Sequence, residues 1–337
     1  METIHTYDIR SAVVNAVSEV FDLMLSLEIE HLAALSQSHL YGEKMLAAIN
    51  LVGPVAGMVT IQVDAAYARI LAGSMLDIDP AELHNPADVK DVLTEVCNMV
   101  TGNLKSGLCD AGLNCELSVP TLISGRDYQS GIQHADRQEY FTFFQGENTV
   151  LLAVALKSGE PDQPDEEQSE KPPALRPDHG LFVFDIQAAI TAAVTEVFDL
   201  MLDMQIKPGE AGVAAGTGGS HLSGSISFSG DILGWVNIDL SQNLSRRIAA
   251  SMLDMAPDDL EGIEEVKDVI GEVCNMVAGS LKSSLCDSGF NCRISPPTFT
   301  LGSDFELECL HLDREETYVY IHATETFRVA VGLKAAE

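Results

Sequence analysis

The feature that most constrains how this chain folds is an internal repeat with an offset of 177 residues. Residues 88–120, DVKDVLTEVCNMVTGNLKSGLCDAGLNCELSVP, return at residues 265–297 as EVKDVIGEVCNMVAGSLKSSLCDSGFNCRISPP. A second pair of segments, SEVFDLMLSLEI at 18–29 and TEVFDLMLDMQI at 195–206, has the same offset. Because the register does not slip, the sequence predicts one fold built twice, with the same order of elements in each copy.

The spacing of apolar residues predicts that order as helix, strand, strand, helix, helix and three strands. In the first repeat the helices are expected at about 9–27, 65–76 and 86–110, and the strands at about 45–51, 57–63, 113–119, 140–144 and 149–156, with a weaker extended segment at 121–133. Asp64 is the expected N-cap of the second helix, and Gly112 is the expected left-handed stop of the third. Such an order is typical of an α/β (α+β) domain whose helices pack on an antiparallel or mixed sheet.

Composition indicates where the two repeats are separated. Residues 158–180 are rich in proline and acidic residues and lack apolar periodicity, which is typical of a linker. We therefore predict a first domain at 1–157, a linker at 158–180 and a second domain at 181–337. The second repeat departs from the first at residues 207–225, a glycine-rich stretch that we interpret as a flexible loop before its first strand.

The overall composition argues against several partners and sites. The chain has 337 residues and a formal net charge of −32, so it is long enough for two domains and should be repelled by nucleic acid and by anionic membranes. We see neither a signal peptide nor a run of ~18 apolar residues, and we therefore expect a cytoplasmic protein. The seven cysteines lack metal-site spacing, which favours reduced, mostly buried thiols.

One face of the repeated helix carries the candidate functional residues. At about 100° per residue, with Asp91 at 0°, Glu95 lies at about 40°, Asn98 at about −20° and Gly102 at about 20°, and Lys105 borders the same face. The valines and leucines of this helix lie opposite, so the polar face should point away from the core. The second copy repeats the arrangement with Asp268, Glu272, Asn275, Gly279 and Lys282.

A face that only solvates the helix is the simplest explanation of these residues. However, Asn is a poor helix former, and Gly costs about 1 kcal/mol relative to Ala inside a helix. The glycine leaves room for another backbone, the Asn amide can orient a water molecule, and the Glu can pair with a partner's cation. Since no nucleophile with an adjacent base is apparent, these residues favour water positioning on a reactive group that a partner supplies.

The repeated segment resembles the signature of the CheC/CheX/FliY phosphatases of bacterial chemotaxis. That signature combines an Asp or Ser, a Glu, an Asn and a downstream Pro. This sequence has these residues twice, as Asp91, Glu95, Asn98 and Pro120 and as Asp268, Glu272, Asn275 and Pro297. One motif per repeat is similar to CheX, whose chains pair as dimers, so the resemblance implies two CheX-like repeats that pair within one chain as a pseudo-dimer.

The resemblance also implies a mechanism. The substrate would be the aspartyl phosphate of a CheY-like receiver domain, with Mg²⁺ held by the receiver and no cofactor bound by this chain. Asn98 and Asn275 would align the attacking water, and Glu95 and Glu272 would pair with the receiver's lysine. Docking or support would come from Asp91, Gly102, Lys105, Asp268, Gly279 and Lys282, whereas Pro120 and Pro297 would be structural.

Two alternatives remain open at this stage. A non-catalytic module, receiver-binding or similar to the flagellar switch proteins, could use the same helix face. A metal or thiol enzyme is a third class, for which the residues offer little support. The sequence does not identify the receiver or its pathway, nor does it show whether both sites are active or whether the repeats exchange strands between chains.

Overall fold

The structure is a computed structural model that describes residues 3–32, 40–159, 181–209 and 219–336. The chain divides into two compact units. The predicted linker lies outside the described residues except for its first two positions, 158 and 159, so its boundaries stay a prediction. None of the described helices is both long enough and apolar enough to cross a membrane.

The first unit has three helices that begin where side-chain caps are available. Helices α1 (Ile9–Leu25), α2 (Ala65–Leu76) and α3 (Pro86–Asp110) follow Asp8, Asp64 and Asn85, each of which accepts a hydrogen bond from a first-turn backbone N–H. Such caps satisfy donors that the helix itself leaves unpaired. Helix α1 ends two residues earlier than predicted, at a left-handed Ser26, whereas α3 has the predicted bounds and is followed by Gly112 at φ +79°.

The strands of the first unit are paired antiparallel in the order β1-β6-β7-β3-β2-β5, with β4 beside β2. Their bounds are β1 (Glu30–His31), β2 (Lys44–Val52), β3 (Val55–Asp64), β4 (Glu116–Leu117), β5 (Thr121–Ile132), β6 (Arg137–Gln145) and β7 (Asn148–Ser158). The predicted strand at 113–119 was too long, because only the two residues of β4 pair with β2. The weak segment at 121–133 is instead the long strand β5.

The second unit repeats this architecture. Its helices are α4 (Ile186–Glu196), which continues into a π-helical turn at Val197–Met201, α5 (Gln242–Met252) and α6 (Ile263–Asp287). Its strands are β8 (Lys207–Pro208), β9 (His221–Gly230), β10 (Ile232–Ser241), β11 (Cys292–Ile294), β12 (Thr298–Cys309), β13 (Arg314–His322) and β14 (Glu325–Ala335). They follow the order β12-β9-β10-β14-β13-β8, with β11 beside β9. The predicted α+β class, with its order of elements in both repeats, is confirmed.

The glycine-rich loop predicted at 207–225 is shorter than expected. Residues 210–218 lie outside the described part, but strand β9 already begins at His221. Ser223 and Ser225 on this strand are buried. Their hydroxyls are satisfied because both donate to Oδ1 of Asn237 on the neighbouring strand, at 2.7 and 2.8 Å. A Cβ at Gly224 would lie 2.6 Å from the Sγ of Cys274, so glycine lets helix α6 approach this strand closely. Because this stretch is rich in glycine and serine, the sequence did not indicate that part of it forms the core strand β9.

The two units do not coincide with the two repeats. The first unit contains residues up to 126, residues from 134 to the end of the first repeat, and residues 305–310 of the second repeat. The second unit contains residues 127–133 of the first repeat. We call residues 305–310 and 127–133 the crossing segments; each consists of the end of β12 or β5 and the one residue that follows it. Each repeat thus completes the unit of the other within a single chain.

Candidate functional site

Helix α3 carries the first candidate site on its outer side. Its buried side chains form a continuous apolar stripe against the sheet: Val89, Val92, Leu93, Val96, Val100, Leu104 and Leu108. Asp91, Glu95 and Asn98 are exposed, as the helical spacing predicted. The Glu95 carboxylate and the Asn98 amide have no hydrogen-bond or ion-pair partner among the described residues. Both groups are therefore available to a partner.

Helix α6 presents the second candidate site with one difference. Asp268 and Glu272 are exposed, whereas Asn275 is half-buried. The apolar stripe is again continuous, from Val266 to Leu285. The two copies thus share the direction of their polar faces, but the second amide is less accessible than that of Asn98.

The glycines of both faces are not required by packing within the chain. A Cβ at Gly102 or at Gly279 would meet nothing within 4 Å. By contrast, a Cβ at Gly107, on another side of α3, would lie 2.5 Å from the hydroxyl oxygen of Tyr7. Gly102 and Gly279 leave a flat, open place one turn after the Asn, which favours close approach by another molecule.

The prolines of the motif lie beside the site helices rather than on the exposed face. In the second copy, a Cβ at Gly271 would lie 3.3 Å from Cγ of Pro297 and 2.9 Å from Phe299. Gly271 directly precedes Glu272, so Pro297 packs against the helix at the level of the site. In the first copy the carbonyl of Pro120 accepts a hydrogen bond from the backbone N–H of Leu310 at 3.2 Å.

A buried serine two residues before each proline was missed by the sequence analysis. Ser118 Oγ accepts from the backbone N–H of Asn50 at 3.0 Å and donates to the carbonyl of Val119 at 2.9 Å. Ser295 makes the same two bonds, to Ser227 and Pro296. These serines tie the segment before the proline to the sheet. Their signal in the sequence was the Ser-x-Pro pattern that both copies share.

The two helices are also braced differently between the Asp and the Glu. In α3 the buried Thr94 hydroxyl donates to the carbonyls of Lys90 and Asp91, at 3.0 and 2.9 Å. In α6 the corresponding residue is Gly271, whose missing side chain leaves the space that Pro297 and Phe299 occupy. The same exposed face is therefore supported by a hydroxyl in one copy and by side-chain packing in the other.

The thiols near the site do not form a reactive centre. Burial raises the pKa of Cys97, Cys115, Cys274 and Cys292 to about 12, which keeps these thiols protonated at neutral pH. The ammonium groups of Lys105 and Lys282 oppose that shift slightly at Cys115 and Cys292, so both lysines lie near the C-terminal ends of the site helices. Cys109 and Cys286 are half-buried.

Each face offers two carboxylates and one amide, with a lysine at its border. Among the described residues, no group of three or more His, Cys, Asp or Glu is placed to hold a metal ion. An amide can hold a water molecule through its oxygen and its NH₂ group, and a carboxylate can bind an ammonium group. The arrangement can therefore position water and recognise a cation on a partner that supplies the reactive bond.

Comparison with known proteins gives one family. Residues 45–145 and 222–321 match the family model described as chemotaxis phosphatase CheX. Together the two matched ranges cover more than half of the chain. None of the curated proteins compared with the sequence matches it.

Several solved structures are similar to part of the chain. CheX from Desulfovibrio desulfuricans shares 21% identity, with 44% of this chain and 99% of that chain covered and a TM-score of 0.38. CheX from Vibrio vulnificus shares 20% identity, with 45% and 97% covered and a TM-score of 0.37. The CheX–CheY–BeF3–Mg complex from Borrelia burgdorferi gives 20% identity, with 45% and 99% covered and a TM-score of 0.33.

Proposed function

This chain belongs to the chemotaxis phosphatase CheX family, and we propose that it hydrolyses the aspartyl phosphate of a CheY-like receiver domain at two sites, one on α3 and one on α6. The observation that carries this proposal is the shared outer face of the two helices. Each presents an exposed Glu, an Asn three residues later and an open glycine one turn further on. Retention of all three in both repeats is unexpected for a surface that only solvates a helix.

The attacking water is held by the Asn amide. In the docked complex the side chain of Asn98 or Asn275 enters the receiver's active site, and its amide oxygen accepts a hydrogen bond from water. The water oxygen then forms a bond to phosphorus while the bond between phosphorus and the aspartyl oxygen breaks. The products are inorganic phosphate and a free aspartate carboxylate. Phosphoryl transfer depends largely on positioning and charge stabilisation, so a small site on this chain is sufficient.

The remaining residues of the face orient the receiver. Glu95 and Glu272 pair with the ammonium group of the receiver's active-site lysine, which places the neighbouring Asn over the phosphate. Asp91 and Asp268 support docking from the preceding turn, and the open glycines at 102 and 279 allow the two backbones to approach. The Mg²⁺ ion of the reaction belongs to the receiver, where it neutralises phosphate charge.

The central test removes both amides. We expect Asn98→Ala combined with Asn275→Ala to leave the fold unchanged and to lower the rate of phosphate loss from a phosphorylated receiver by about 100-fold or more, because the water is no longer aligned. The rate is measured as inorganic phosphate released in excess of the receiver's own autohydrolysis.

A matched control uses another exposed Asn of α3. Asn103 lies away from the site and donates to Glu19 of α1 at 3.3 Å, so Asn103→Ala should keep the parental rate. If the double variant is as fast as the parent, the assignment of the amides is wrong. If the parent binds the phosphorylated receiver stably without turnover, the alternative function as a receiver-binding module is correct instead.

A further inference from the structure

The two candidate sites have chemically different walls, and these walls come from the crossing segments. In the first unit the alternating residues of the crossing segment are Glu306, Glu308 and Leu310. At the corresponding positions in the second unit stand Gln129, Gly131 and Gln133. At these alternating positions one segment carries two carboxylates, and the other carries none.

The crossing segment of the first unit contacts the site helix directly. The Oε2 atom of Glu308 lies 2.6 Å from Nζ of Lys90, the residue immediately before Asp91. The two side chains are 40% and 23% exposed, so the pair lies at the surface. Leu310 packs against the core of the first unit, which fixes the position of the segment. Glu306 is exposed on the same side of the strand.

The crossing segment of the second unit contacts its helix without a charge. The Nε2 atom of Gln133 donates to the carbonyl of Glu264 at 3.3 Å. Lys267, which corresponds to Lys90, pairs with Glu264 of its own helix at 2.7 Å. The lysine beside the second site is therefore held within the helix, whereas the lysine beside the first site is held by the crossing segment.

The position of the contact makes the segment a wall of the site. Lys90 lies at about −100° on the helical wheel that places Asp91 at 0°. Helix α1 and the residues just before it flank the other side, where Asn103 contacts Glu19 of α1 and Gly107 faces Tyr7. The exposed line of the first site runs between α1 and the crossing segment, so a docked protein that reaches Asn98 also meets the strand.

Negative charge is consequently distributed differently at the two sites. The first site has Glu306 and Glu308 on its wall, while the second has Glu264 and Glu265 at the start of its helix, where the first has Ala87 and Asp88. Among these positions the first site has three carboxylates, two of them on the crossing segment, and the second has two, both on the helix. Charge placement at the rim of an interface decides which partner associates fast and which is repelled.

We infer that the crossing segments determine receiver specificity, so that the two sites prefer different receivers. The inference rests on the proposed function. The first site favours a receiver that presents Lys or Arg opposite Glu306 and Glu308, and the second favours one with a neutral surface at that place. A chain with two such sites can serve two receivers.

The test uses single-site proteins. Asn275→Ala leaves the first site active, and Asn98→Ala leaves the second. In the first-site protein, Glu306→Gln with Glu308→Gln should raise KM about 3- to 10-fold for a receiver that prefers this site. The salt dependence of kcat/KM should fall and kcat should stay unchanged, as expected for rim charges. The same substitutions in the second-site protein should change neither constant.

A transplant provides the converse. Residue 131 can accept a side chain, because a Cβ there would meet nothing within 4 Å. Gln129→Glu with Gly131→Glu in the second-site protein should therefore move its receiver preference toward that of the first site. Glu147→Gln, in the β6–β7 turn, removes an exposed carboxylate elsewhere and should have no effect.

Two outcomes separate the inference from the proposed function. Equal effects of the crossing-segment variants in both single-site proteins, or no effect in either, would overturn the inference while phosphatase activity stands. If neither the parent nor the single-site proteins release phosphate, the proposed function fails. Specificity is then measured as the affinity of beryllofluoride-activated receivers for the parent and for the two sets of crossing-segment variants. Identical affinities for all of these proteins would overturn the inference as well.

Discussion

Burial of side chains decides the chemistry of individual residues in this protein. The four buried thiols on or just after the site helices would form thiolates that water cannot solvate, so they stay protonated and behave as small apolar residues. The exposed Glu95 and Asn98 have the opposite character, since water and a partner both reach them. On α3 the inert Cys97 lies between Glu95 and Asn98 in the sequence.

The raised pKa of these thiols predicts a loss of stability at alkaline pH. Cys97, Cys115, Cys274 and Cys292 titrate near pH 12 when folded and near pH 8.5 when unfolded. Their contribution is fully present below about pH 8.5 and is lost as pH rises toward 12, because only the unfolded state releases the protons. The slope is at most ~1.4 kcal/mol per pH unit for each thiol.

Urea unfolding under reducing conditions between pH 8 and pH 11 measures this effect. Cys97→Ala with Cys274→Ala removes two of the four groups, so the free energy of unfolding of this variant should fall less steeply with pH than that of the parent. Parallel pH profiles for the two proteins would show that these thiols do not titrate differently in the folded and unfolded states.

At the level of elements, each site is a single helix held in place on several sides. Helix α3 packs on the sheet through its apolar stripe and on α1 through Asn103. It also contacts Tyr7, which precedes α1, through Gly107, and the crossing segment through Lys90. Ser118, two residues before the motif proline, accepts a hydrogen bond from Asn50 of β2 and so holds the segment that follows α3 against the sheet. Such support keeps an exposed polar line rigid, which positioning of water requires.

The open glycine of the site helix should lower the stability of the protein while it allows the partner to dock closely. Gly102→Gln replaces glycine by a good helix former in space that the chain leaves empty, so the free energy of unfolding should rise by about 0.5–1 kcal/mol. The side chain should also obstruct the partner and raise KM at the first site. Both are measured in an Asn275→Ala background, by urea unfolding and by phosphate release.

Gly112 provides the contrasting control. It has φ +79°, so Gly112→Ala should destabilise by about 1 kcal/mol and leave KM unchanged. A Gly102→Gln variant that is more stable and has the parental KM would show that the glycine does not face the receiver.

At the level of the whole molecule, each compact unit contains a segment from the other repeat. Leu310 belongs to the second repeat in sequence but packs against the core of the first unit. Leu301, on strand β12, packs against the core of the second unit, and Leu310 directly follows the end of the same strand. The continuous segment 301–310 therefore contributes to both cores, and the stability of the first unit depends on a residue of the second repeat.

Truncating Leu310 and Leu301 one at a time should show which unit each side chain stabilises. Leu310→Ala should lower the protection of α3 from hydrogen exchange, and Leu301→Ala that of α6, each by roughly 1–2 kcal/mol because both side chains are only partly buried. If Leu310→Ala weakens α6 and spares α3, the assignment of the crossing segment to the first unit is wrong.

Most of the local structure could be predicted from the sequence. The bounds of α3, the N-cap of α2, the stop at Gly112 and the outward direction of Asp91, Glu95 and Asn98 depend on residues close together in the chain. Helical periodicity, capping chemistry and glycine's access to positive φ are properties of short segments. The roles of the site residues remain predictions that the variants above test.

The tertiary structure decided what short segments cannot encode. Nothing local shows that residues 305–310 join the first unit, that Glu308 meets Lys90 across 218 positions, or that a serine-rich stretch is the core strand β9. A strand offers two edges and two faces, and only the full set of neighbours determines which are filled. The sequence by itself thus determined two matching helix faces, whereas the tertiary structure decided that the walls beside them differ.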